Sequence, residues 1–235
     1  MVIDSSVRMQ ALLESSEALQ HGISDLDDEE ARARSLLPGW TRGHVLTHLA
    51  RNADALINLV TWARTGEETP MYLSREKRAA DIEAGATRPA TELVADVRDS
   101  SERLLSELQA LPEAAWDSRW GFTGRERGAF EIPLLRRTEV EVHHVDLDLD
   151  YTPAHWPASF VEDALEDVTV DYTERGEISG FTVVPTDRDA SWPVTGGGPA
   201  VSGPAPALLA WLIGRTDGTG LQSESGSLPQ LGVWR

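Results

Sequence analysis

Apolar positions recur at helical spacing through most of the first 150 residues. Val7, Leu12, Leu13, Ala18 and Leu19 predict a helix reaching about residue 20, and an acidic stretch from Asp25 to Glu30 reads as a loop. A second stripe of Val45, Leu49, Ala53, Leu56 and Val60 predicts a helix capped by Thr41 and ended by Gly66. A shorter helix is predicted over Ser74 to Glu83. Thr91 is the expected cap of a longer one through Val94, Val97, Leu104, Leu105 and Leu108, stopping near Pro112. Trp116 to Phe130 reads as a connection or short hairpin. Pro133 suits the first turn of a last helix running to about Asp150.

The pattern changes at Tyr151 to Pro157, which sets the expected boundary between a domain of residues 1–150 and another of 151–235. Beyond it, Ala158 to Glu174 and Gly203 to Ile213 read as helices and Gly180 to Pro185 as a strand. Leu228 to Trp234 is a candidate edge strand, and Gly196 to Gly198 a turn. The fold class expected is α+β, with an antiparallel four-helix bundle followed by a small α+β domain.

Composition narrows the chemistry. With 39 acidic against 21 basic residues the formal charge is −18, which disfavours nucleic acid and anionic membranes as partners. There is no cysteine, so thiol chemistry needs a sulfur from a small molecule. The first residues lack the pattern of a signal peptide and no segment is long and uncharged enough to span a bilayer, so a cytoplasmic location is expected. The oligomeric state is not legible, and a monomer is compatible with everything above.

Glu139 and His143 lie four apart, so on a helix they project from one face. A third ligand from the second helix would complete a three-ligand site with an open position, as in catalytic zinc centres. His44 and His48 share a face there, and on the wheel His48 and Asn52 lie nearer the apolar stripe. Asp146 is one turn beyond His143, where it could fix an imidazole tautomer or be an ordinary helix-end carboxylate. The wheel predicts that His144 faces solvent and that Glu141 is on the surface. Trp40 and Trp62 bracket the second helix as core or pocket wall.

The runs Gly39 to Asn52, Gly66 to Tyr72 and Glu139 to Leu147, with Gly214 and Arg215, resemble the mycothiol-dependent maleylpyruvate isomerases, within the broader DinB-like metal-binding bundles. The resemblance spans nearly the whole chain. It implies an isomerase with a zinc ion on His48, Glu139 and His143 and with mycothiol as thiol cofactor. It further implies that Arg78 and Arg215 meet substrate or cofactor, and that the small-molecule dicarboxylate maleylpyruvate is converted to fumarylpyruvate by thiol addition, bond rotation and elimination. A mycothiol S-transferase acting on electrophiles and a non-enzymatic zinc-binding regulator are the alternatives. The Gly66 to Tyr72 match and Arg215 weigh against the regulator.

Overall fold

The computed structural model describes residues 5–122, 125–176, 178–232 and 234. It divides into two compact units, residues 1–151 and 152–235. In the first, helices α1 (Ser5–Ile23), α3 (Arg42–Thr65), α5 (Ala90–Gln109) and α6 (Ile132–Asp146) form a four-helix bundle. Both α1 and α3 pack on α5 and α6, which closes the ring. The short helix α2 (Asp28–Arg32) touches α3 and α5, and α4 (Arg75–Gly85) lies on α3.

Local chemistry explains where the helices begin and end. Thr41 caps α3, and the His44 ring accepts from the Thr41 amide at 3.1 Å, a reciprocal pair that satisfies donors at the helix start. Gly66 ends the helix at φ 74°, a left-handed conformation that costs glycine little. The acidic stretch is not all loop: Asp27 and Glu30 form a capping box that opens α2. Thr91 is not the cap of α5. The helix opens two residues earlier, after Pro89, and the Asp28 carboxylate accepts the Ala90 amide at 2.7 Å. Helix α6 stops at Asp146, short of Asp150, because Asp148 takes φ 55°.

Two apolar clusters fill the bundle. One gathers Leu12, Leu56, Leu59, Leu104, Trp120 and Leu135; the other gathers Leu19, Val45, Leu49, Val97, Val140 and Leu147. Burying such side chains stabilises the fold by about 1.5–3 kcal/mol each. The 116–130 segment is a hairpin in part, with β1 (Arg119–Phe122) antiparallel to β2 (Arg125–Gly128); its tip at 123–124 lies outside the described residues.

The second unit has α7 (Ala158–Arg175) and α8 (Ala205–Leu212) on a four-stranded sheet of order β4-β3-β5-β6. Strand β3 (Phe181–Pro185) pairs antiparallel with β4 (Trp192–Val194) and parallel with β5 (Ala200–Gly203). The edge strand is β6 (Gln222–Ser223), not the 228–234 tail, whose described residues form no strand. Pro229 in that tail cannot donate to a ladder. The α+β class and the bundle are therefore as the sequence predicts.

Candidate metal centre

The second turn of α3 and the last two turns of α6 are held together before any side chain of the centre is considered. Arg42, at the start of α3, donates from Nε to the Leu147 carbonyl and from Nη2 to the Asp148 carbonyl, each at 2.6 Å. These are orphan carbonyls at the end of α6, where a cation is favoured. Gly43 allows close packing on the other side, since a Cβ there would lie 2.1 Å from the Ala86 carbonyl oxygen.

Across this junction three side chains converge. His48 Nε2 lies 2.9 Å from Glu139 Oε2 and 3.0 Å from His143 Nε2, and His143 Nε2 lies 3.2 Å from the same carboxylate oxygen. They are the group among the described residues whose ligand atoms could share one metal ion. His143 Nδ1 is bound to Asp146 Oδ2 at 2.8 Å, so the ring is oriented with Nε2 toward the other two. Trp40 packs edge-on against His48, with ring centroids 5.9 Å apart.

Electrostatics separate the two imidazoles. Burial, reinforced by the charge on His143, pushes His48 down to about 4, so it is neutral near pH 7. For His143, burial opposes protonation but is outweighed by hydrogen bonds to Asp146 and Glu139, which raise it. Glu139 is lowered well below the usual carboxylate range, because its bonds to both histidines overcome the cost of burial.

Arg78 places Nη2 3.1 Å from His48 Nδ1, with its guanidinium 5.5 Å from the centre of the Tyr72 ring. Arg215 lies in the second unit, in the turn after α8; its Nη1 donates to the Ile213 carbonyl at 2.9 Å. His44 has other work. Its Nδ1 serves the α3 cap and its Nε2 meets Glu83 at 3.2 Å, away from the convergence.

Two expectations on α6 fail. Neither His144 nor Glu141 faces solvent: both are buried, because α6 packs against α1 as well as α3. Glu141 accepts from Ser15 Oγ and Tyr151 Oη at 2.5 Å each, and His144 stacks on Tyr151 with centroids 3.8 Å apart. Arg136 was not singled out by the sequence and is 1% exposed. The signal was present, since a wheel sets it roughly 60° from Glu139 on the packed side.

The chain matches the mycothiol maleylpyruvate isomerase N-terminal domain over residues 12–148 and the MDMPI C-terminal domain over residues 155–232. It is similar to the crystal structure of the mycothiol-dependent maleylpyruvate isomerase, with a TM-score of 0.90 and 31% identity, covering 99% of this chain and 98% of that one. A histidine-to-alanine mutant of the mycothiol-dependent maleylpyruvate isomerase matches with the same coverage and TM-score at 30% identity. No curated protein matches. No helix among the described residues is long and apolar enough to cross a membrane. By domain match and by structure, the chain belongs to the mycothiol maleylpyruvate isomerase family and is an enzyme.

Proposed function

We propose that this protein converts maleylpyruvate to fumarylpyruvate with zinc on His48, Glu139 and His143 and with mycothiol as thiol. The observation carrying this reading is the convergence of two imidazole nitrogens and one carboxylate oxygen within 4.8 Å. Their separations of 2.9–3.2 Å are close to the edge of roughly 3.3 Å that a tetrahedral ion with bonds of about 2.0 Å requires. Three protein ligands leave one position for an exogenous group. Zinc there would lower the pKa of a bound thiol. A bound thiol would supply the nucleophile for reversible addition to the cis double bond, and a chain without cysteine needs that external sulfur.

The chain's own groups have separate tasks. Asp146 holds the His143 ring with its Nε2 lone pair inward. Were Nε2 to hold a metal, the His48 proton would sit on Nδ1, facing a donor, and Arg78 would be free of that contact to meet a substrate carboxylate. Arg215 is assigned a contact with substrate or cofactor, and Arg215→Ala is expected to keep zinc and lose about 10²–10³-fold in turnover. Near-normal turnover would remove Arg215 from the site.

The deciding experiment is turnover of maleylpyruvate by zinc-loaded protein in thiol-free buffer, followed by titration with mycothiol. Activity should appear only with the thiol. Full activity without it would rule out addition and elimination, and a stable thiol conjugate in place of fumarylpyruvate would identify an S-transferase.

A further inference from the structure

Arg136 is a fully buried cation whose partners are all neutral. Its Nη1 donates to the Leu49 carbonyl at 2.7 Å and to Asn52 Oδ1 at 2.9 Å, and its Nη2 to Ser101 Oγ at 3.1 Å. Its Nε is buried without a partner, and among the described residues no carboxylate lies within ion-pair distance of it. Burying a charge this way costs several kcal/mol, and a well-packed apolar residue would usually serve the core better. Burial pulls the guanidinium down to about 10, which still leaves it charged at neutral pH.

Its location suggests what the charge is for. Arg136 stands one helical turn before Glu139, and Asn52 one turn beyond His48, so their contact lies directly beside the converging donor atoms. Asn52, Ser101 and Arg136 form a polar layer between the two apolar clusters of the bundle. Around the donor atoms the chain supplies two carboxylates, Glu139 and Asp146, and two guanidinium groups, Arg78 and Arg136. Their charges cancel, which leaves the charge of a divalent ion undiminished to attract a thiolate and a dicarboxylate. Without Arg136 the protein groups would be net negative, the wrong sign for those ligands in a chain already at −18.

We infer that Arg136 is a positioning residue that acts through charge: it offsets the carboxylates of the centre so that anionic ligands are favoured, while weakening the hold on the metal itself. This rests on the function proposed above. A residue serving only to brace α3, α5 and α6 would not move metal and anion affinity in opposite directions. A unit charge about 10 Å away at an effective dielectric of about 20 changes affinity by roughly tenfold per ligand charge.

The test uses the full chain in wild-type form and as Arg136→Met, Arg136→Lys and Asn52→Asp. Zinc affinity is read by chelator competition. Binding of succinate, an unreactive dicarboxylate, and of mycothiol to the zinc-loaded protein is read by calorimetry. Arg136→Met should bind zinc at least about tenfold tighter and succinate at least about tenfold weaker, while Arg136→Lys stays near wild type. Asn52→Asp keeps an acceptor for Arg136 but neutralises it in place, so it should shift both affinities as Arg136→Met does and decides the matter if that variant does not fold. Unchanged affinities, or two that move in the same direction, would overturn the proposal, as would a wild type that binds zinc but neither anion. A wild type that binds succinate and ignores mycothiol would sink the thiol reading alone.

Discussion

Helix α6 carries a polar cluster on each of two faces, the one toward α3 partly buried and the one toward α1 more deeply so, and they differ in what their atoms face. On the α3 side, His48, Glu139 and His143 point nitrogen and oxygen lone pairs at one another, an arrangement that protons can only partly reconcile. On the α1 side, Glu141 has a hydroxyl donor on each oxygen, Ser15 in turn accepts from Arg137 Nε at 3.1 Å, and Tyr151 covers His144. The first cluster gathers acceptors that could hold a metal ion; the second matches acceptors with donors. Burial alone therefore does not mark a site. The surplus of lone pairs does.

The sharpest way to break this contrast is to remove one member from each cluster. His48→Ala should lose essentially all zinc, since two remaining ligands make a poor site, whereas Glu141→Gln and His44→Ala should retain it. Metal analysis of the three purified variants is sufficient, and zinc retained in His48→Ala would remove the distinction. A smaller effect is expected from the group behind the ligand. Asp146→Asn should weaken zinc binding by about 10–100-fold, because His143 loses the carboxylate that fixes its tautomer; chelator competition reads this directly.

Acidity gives a graded test. His143 is raised, so below that pKa it holds a proton that zinc must displace. Zinc affinity should then fall by up to about tenfold per pH unit as pH drops through it, with roughly one proton released per ion. Calorimetry in buffers of differing ionisation enthalpy counts that proton, and no release near pH 6 would contradict the assignment. The smallest change is expected on the other face. Tyr151→Phe removes one donor from a buried carboxylate and should cost about 1.5–3 kcal/mol of stability with zinc untouched. A thermal melt beside a zinc assay separates the two quantities.

The same contrast explains what could be read in advance. Thr41 and Gly66 bound α3 as predicted because caps and left-handed stops are chemistry between residues a few positions apart. The spacing of Glu139 and His143 was legible for the same reason. Glu141 and His144 were misassigned because a wheel contains no information about how many neighbours a helix has, and α6 has two. The capping box in α2 was hidden by its own acidity, since Asp27 to Glu30 looks like a solvated loop until the reciprocal bonds are seen. Strands β4 and β5, three and four residues long, are too short to show alternation and owe their existence to β3 between them. Arg136 lay in plain view, but a single arginine carries no motif.

The Arg42 latch has a consequence for how freely this sequence can drift. Its two short bonds end on main-chain oxygens, so the identities of residues 147 and 148 matter to it only through backbone shape. Position 148, at φ 55°, should accept Asn or Gly as readily as Asp, and position 147 other aliphatic residues of similar size. Position 42 has no such latitude, because lysine cannot reach two carbonyls with a rigid fork. In a saturation library selected for metal retention, one end of the latch should tolerate many substitutions and the other almost none.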